Sequence, residues 1–301
     1  MILTFDETGA ILDELADSLP PDFYRELNGG VSLLPEELPD PAFPGEALYI
    51  LGEYCHDQMG RYINLYYGSF AALARAEGVD FILAVGGGSV IDSAKAIGYG
   101  IPYEGDVWDF YSGAAQPERV CPVGAVLTLS AAGSEMSNSS VITDEEHGLK
   151  WGLNNDICRC RFAVMDPELT YTLPPYQTAC GVVDILMHTM ERYFTHERDT
   201  ALTDELAEGL MRTVMECGRK AMRDPEDYNA RAQIMWAGSL SHNGLTGCGT
   251  VGDWASHRME HELSARFDVA HGAGLAAIWG SWARYVYREE PERFAQFAVK
   301  V

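Results

Sequence analysis

The chain of 301 residues carries 45 Asp and Glu against 21 Lys and Arg, a formal net charge of −24, with 47% hydrophobic residues. That is globular composition, long enough for about two domains, and it excludes a disordered chain. The acidity argues against nucleic acid as a partner, whose phosphates need Lys and Arg, and equally against an anionic membrane surface.

The charge is uneven. Residues 1–80 hold fifteen acids and only Arg25, Arg61 and Arg75 as bases, half of the net charge. Within them, Ile11, Leu12, Leu15, Leu19 and Phe23 fall at helical spacing and predict a helix over 5–30, broken by Pro20-Pro21. Leu34 to Glu46, rich in Pro and acids, reads as a loop. Leu48–Leu51 and Arg61–Tyr67 read as short strands. No basic and apolar leader opens the chain, and the weakly polar run Gly272–Ala283 is too short to span a bilayer, which predicts a cytoplasmic protein. Seven scattered cysteines, Cys158-x-Cys160 among them, predict free thiols and neither a disulfide framework nor a zinc site.

After Gly78 the pattern changes. Asp80–Val85 is almost wholly apolar, as a parallel strand covered on both faces is, and it runs into Gly86-Gly87-Gly88-Ser89 and then a helical stretch, Val90–Ile97. Strand, glycine turn and helix are the parts of a phosphate cradle, in which backbone amides and the positive helix end stabilise the anion. Ser89 can cap the helix or donate to a phosphate, and Asp92 lies in the first turn. The spacing matches neither a dinucleotide fingerprint nor a Walker loop, so a plain tight turn stays open as the alternative. A second strand is predicted at Cys121–Leu127, followed by a small-residue turn at Ser130–Ser134. From Thr178 onward helical periodicity dominates.

In that half, Asp184 and His188 stand at i and i+4 on an otherwise apolar helix. A carboxylate and an imidazole one turn apart on a buried face need compensation, which a divalent cation supplies; a hydrogen-bonded Asp–His pair is the alternative. His257, His261 and His271, three of eight histidines, cluster downstream and favour the metal, with Fe(II) and Zn(II) both suited. The chain has no G-x-S-x-G elbow and no H-E-x-x-H.

From about residue 77 to the end, the chain resembles the iron-containing (group III metal-dependent) alcohol dehydrogenases, in their butanol-dehydrogenase-like branch. The resemblance rests on 78–95, on 103–110, on Gly133-Ser134-Glu135, Ile142–Glu145, Met165–Leu169 and Leu173-Pro174-Pro175, and on both metal segments. It implies an α/β Rossmann-like cofactor domain followed by an all-α metal-binding domain, with the active site between them. It implies metal ligation by Asp184, His188, His257 and His271, and proton transfer at His261. Gly87, Gly88 and Ser89 would hold the pyrophosphate, with Asp92 a further cofactor-binding candidate; Thr128 and Leu129 would flank the cofactor; Lys150 would stand near its ribose–nicotinamide end. The implied reaction interconverts a small alcohol and its aldehyde by hydride transfer with NAD(H) or NADP(H), in a homodimer, with Fe2+ or Zn2+ as Lewis acid.

The expected division is an atypical segment at 1–76, a partial dinucleotide-binding domain at 77–176, and a metal-binding domain at 177–301 that stops before the family's last helices. Residues 1–74 lack the family's first βα unit, which would leave the strand at 80–85 as a sheet edge. They resemble instead the opening of a zincin-like metallopeptidase family, without its H-E-x-x-H. Ala132 stands where the family leads one to expect Thr. Two other readings stay open: a fused or truncated fragment that binds metal with little turnover, and a metallopeptidase-derived binding module.

Overall fold

The computed structural model describes residues 31–34, 52–57, 60–144, 147–267 and 269–301. The helix expected over 5–30 and the strand at 48–51 lie outside the described residues. In chain order, β1 (Val31–Leu34), β2 (Gly52–Asp57) and β3 (Gly60–Tyr66) form a sheet of order β1-β3-β2. Here β3 pairs parallel with β1 and antiparallel with β2. The strand expected at 61–67 is thus β3, whereas Leu34, read as the start of a loop, ends β1. Helix α1 (Tyr67–Ala76) follows without a break.

The expected strand–turn–helix is β4 (Ile82–Gly86) and α2 (Gly88–Gly100). Short α3 (Trp108–Ser112) and β5 (Val123–Leu127) come next, then the hairpin β6 (Ser139–Asp144) and β7 (Leu149–Asn154), and β8 (Ala163–Val164). Strands β4, β5 and β8 form a parallel sheet in that order, with Ile82 opposite Val123 and Ala125 opposite Ala163. Among the described residues β4 is an edge, as expected. Side chains alternate across this sheet. Ala84, Val123, Ala125 and Leu127 turn to the core with Ile91 and Ala94 of α2.

The remainder is helical: α4 (Pro175–Tyr193), α5 (Ala201–Arg223), α6 (Tyr228–His242), α7 (Ala255–Phe267), α8 (His271–Val286) and α9 (Pro291–Lys300). Ile185 of α4 packs with Val214 and Cys217 of α5 and Ile234 of α6. The two parts are joined by burial: Met235 of α6 completes the core under the parallel sheet. At Gly181 of α4 a Cβ would lie 2.1 Å from the carbonyl oxygen of Ser130, so only glycine lets the turn after β5 rest on this helix. No helix among the described residues is long and apolar enough to cross a membrane. The six described cysteines are free thiols.

Candidate metal centre and cofactor cleft

Helix α4 presents Asp184, His188 and Glu191 at i, i+4 and i+7, one buried face. Helix α7 presents His257, Glu260 and His261 at i, i+3 and i+4, and His271 is the first residue of α8. Two close approaches bring them together. A Cβ on Gly272 would lie 2.1 Å from the Cys180 carbonyl oxygen, so the start of α8 rests directly on α4 one turn before Asp184. The backbone amide of His257 donates to Glu191 Oε1 at 3.1 Å, which ties the start of α7 to the end of α4.

One ligating atom from each of Asp184, His188, His257 and His271 lies within 4.8 Å of those of the other three. His188 Nε2 is 3.3 Å and His271 Nε2 3.8 Å from Asp184 Oδ1. Asp184 Oδ1, His188 Nδ1 and His257 Nε2 are fully buried and have no hydrogen-bond partner. Each such orphan costs about 1–3 kcal/mol. A divalent cation among these atoms removes the cost for a carboxylate oxygen and an imidazole nitrogen at once, and one carboxylate with three imidazoles suits Fe(II) or Zn(II). The residues fit a metal.

Behind them stand two carboxylates that the sequence reading missed. Glu191 Oε1 accepts from His257 Nδ1 at 2.9 Å, and Glu260 Oε2 contacts His271 Nδ1. Each fixes the tautomer that leaves Nε2 as the free lone pair. Burial raises the Asp184 carboxyl, an effect that His271 and His257 oppose, and burial holds His188 well below the ordinary histidine range. His242, also missed, stacks on His188 with ring centroids 4.1 Å apart and shares a hydrogen bond of 2.6 Å with the Ala132 carbonyl. Burial drops its pKa to about 3.

The cluster opens on a cleft of about 860 Å³ between the two parts of the chain, with Gly87, Gly88 and Ser89 on the opposite wall. No side chain caps α2 at Gly87, so its first amides face the cleft free to bind an anion. A Cβ on Gly88 would lie 3.3 Å from Ser134 Oγ across the turn. The cradle fits a phosphate.

Leu129, Lys150 and His261 line the same cleft; Thr128 is not among its lining residues and holds β5 to β4 through its amide on Gly86 O at 3.1 Å. Asp92 lines the wall, but its Oδ2 accepts from the Val141 amide at 3.0 Å. Lys95, one turn on and fully buried, donates to the carbonyls of Ser139 at 2.6 Å and Ser134 at 2.7 Å. It pins the second loop of the cradle to α2. Lys150 Nζ donates to Ser264 Oγ of α7 at 3.2 Å. His261 is pushed down to about 3, first by burial and then by Lys150 and His271.

Residues 68–167 match the sequence profile of the iron-containing alcohol dehydrogenases, and residues 178–301 match that of the family's C-terminal region. A probable NADH-dependent butanol dehydrogenase of Bacillus subtilis is 43% identical over 230 residues, which cover 76% of this chain and 59% of that protein. An NADPH-dependent aldehyde reductase of Escherichia coli, YqhD, is 42% identical over 209 residues, 68% of this chain and 54% of that protein. The crystal structure of an NADH-dependent butanol dehydrogenase A from Thermotoga maritima superposes with a TM-score of 0.77 at 40% identity, covering 79% of this chain and 63% of that one. The chain thus spans about three fifths of the length of the curated butanol dehydrogenases it matches. With both profiles matched in order across the cofactor and metal halves, this chain belongs to the iron-containing alcohol dehydrogenases, in their butanol-dehydrogenase-like branch.

Proposed function

We propose that the chain is a metal-dependent NAD(P)(H) oxidoreductase that interconverts a small alcohol and its aldehyde. The observation that carries this reading is the convergence of Asp184, His188, His257 and His271 on one point, with buried orphan donors, at the wall of a cleft that also holds the glycine cradle. Similar proteins whose names give NADH- or NADPH-dependent reactions of butanol or aldehydes support it. In this reading residues 77–176 hold the nicotinamide dinucleotide and residues 177–301 hold Fe2+ or Zn2+. The cation supplies Lewis acidity and the nicotinamide the hydride chemistry.

The chain's own residues do the rest. Asp184, His188, His257 and His271 bind the cation, and Glu191 and Glu260 orient two of the imidazoles. Gly87, Gly88 and Ser89 offer backbone amides to the pyrophosphate, with Asp92 bracing the first turn of α2 behind them. Leu129 flanks the dinucleotide, with Thr128 behind it holding β5 to β4, and Lys150 places a cation near the ribose. His261, which lines the cleft with its ring 5.6 Å from that of His271, is the candidate to relay the hydroxyl proton. The resemblance carries a cytoplasmic homodimer with it, which sedimentation of the purified chain tests.

The double variant Asp184→Ala/His188→Ala tests the whole reading. It should lose Fe2+ or Zn2+ binding together with NAD(P)H-dependent reduction of a short aldehyde. Full activity in that variant would show the metal role to be wrong.

A further inference from the structure

Trp254 stands at the metal end of the cleft, immediately before α7, in a backbone conformation that side chains rarely adopt, with φ +60°. Such strain persists where the surroundings over-determine it, and it collects at ligand sites. Here the surroundings are specific. The guanidinium of Arg192 lies 4.5 Å from the centre of the indole, and Arg192 Nη1 donates to the His188 carbonyl at 2.6 Å. The indole meets His257 and His188 edge-on, with centroids 5.2 and 5.7 Å away. Arg192 therefore fixes the ring to the same helix that carries two of the candidate ligands.

Among the described residues, the ring is also the one large apolar side chain on this end of the cleft. Ala131 and Ala132 line the same cleft, and His242, whose ring is 6.0 Å from the indole, shares a hydrogen bond with the Ala132 carbonyl. The other bulky aromatic residues of the cleft, Tyr111 and Trp151, belong to α3 and β7 of the cofactor half. A carbon chain held at the candidate metal centre would have the indole and these two alanines among its walls. Arg192 stacks on the indole and is turned to the His188 carbonyl, while Arg258 and Glu262 of α7 also line the cleft.

We propose that Trp254, clamped by Arg192, is the specificity-determining residue that limits the length of the substrate's carbon chain. This inference rests on the oxidoreductase reading above. Removing the indole opens apolar space that extra methylenes fill, and each methylene in a hydrophobic pocket is worth about tenfold or more in discrimination.

The test compares the metal-loaded parent chain with Trp254→Ala, Trp254→Leu and Arg192→Met. Two readouts are used: kcat/KM over the aldehyde series from propanal to octanal, and calorimetric binding of 1-butanol and 1-octanol. Metal content is measured for every protein. The expected result is an octanal-to-butanal ratio raised about tenfold or more in Trp254→Ala, with the 1-octanol affinity moving the same way. Trp254→Leu and Arg192→Met, which keep an apolar side chain at the site, should shift the ratio in the same direction by less; they carry the test if the alanine variant does not fold. Equal losses for every chain length, with lower metal content, would make Trp254 only a support for the histidines and overturn the inference. An unchanged length profile would overturn it too, while a parent chain that neither reduces any aldehyde nor binds an alkanol would overturn the oxidoreductase reading beneath it.

Discussion

Glu191 and Glu260 show how much of the candidate centre lies behind the residues proposed as its ligands. Each is buried, and each sets the imidazole in front of it. Glu191→Gln should leave the fold intact and weaken Zn2+ or Fe2+ binding about 10- to 100-fold, read by competition with a coloured chelator. A loss of less than twofold would show that His257 needs no carboxylate. Trp254 gives a second test at this scale. Glycine occupies φ +60° without cost whereas alanine does not. Trp254→Gly should therefore melt about 2 °C above Trp254→Ala, although both lose the same indole.

The helical arithmetic that picked out Asp184 with His188 also reaches Glu191, three residues beyond His188, and Glu260, three beyond His257. In a chain with 45 acids a carboxylate at helical spacing carries little information, while histidines, of which there are eight, carry much. His242 left no sequence signal, because the packing of α6 on α4 brings it to His188.

Among elements, β4, α2, β5 and the helices beyond residue 175 were legible because apolar runs and helical periodicity report burial directly. Helix α1 was not. The sequence pattern predicts a strand ending at Tyr67 and no helix after it, yet Ala71 and Ala72 are buried and Arg75 Nη1 donates to the Gly100 carbonyl at 2.7 Å. The contacts that make it a helix lie in α2, out of reach of a local pattern. Strands β1 and β2 likewise depend on β3 as partner. The placement of α8 yields a sharper prediction. Gly272→Ala pushes a methyl group onto the Cys180 carbonyl, so α8 must lift from α4 and take His271 with it. The variant should lose about 1–3 kcal/mol of stability, seen as a lower melting temperature, and should bind Zn2+ more weakly than the parent. Unaltered Zn2+ affinity would show that His271 is placed by other contacts.

At the scale of the molecule, the described residues cover the parallel sheet on one face only. Phe81, Leu83, Val85, Phe162 and Val164 are 38–48% exposed on the other, where parallel sheets are normally buried. An apolar patch of this kind favours association between copies, and a net charge of −24 opposes it. Salt at ~0.5 M shortens the reach of that repulsion to a few Å, so light scattering should report larger particles at high salt for the parent chain and not for Leu83→Lys. Particle size independent of salt would count against the patch.

The chain of contacts from His271 through Glu260 and Ser264 to Lys150 has a thermodynamic consequence. It joins a candidate metal ligand in the helical half to a cation on the hairpin of the other half. If the two ends share one network, their occupancies are linked, and linkage is reciprocal: the factor by which a filled metal centre tightens dinucleotide binding equals the factor by which dinucleotide tightens the metal. Ser264→Ala removes the middle of the relay and touches neither end. In that variant the Zn2+ affinities measured with and without NADH should draw together, and the same number must appear when NADH is titrated with and without Zn2+.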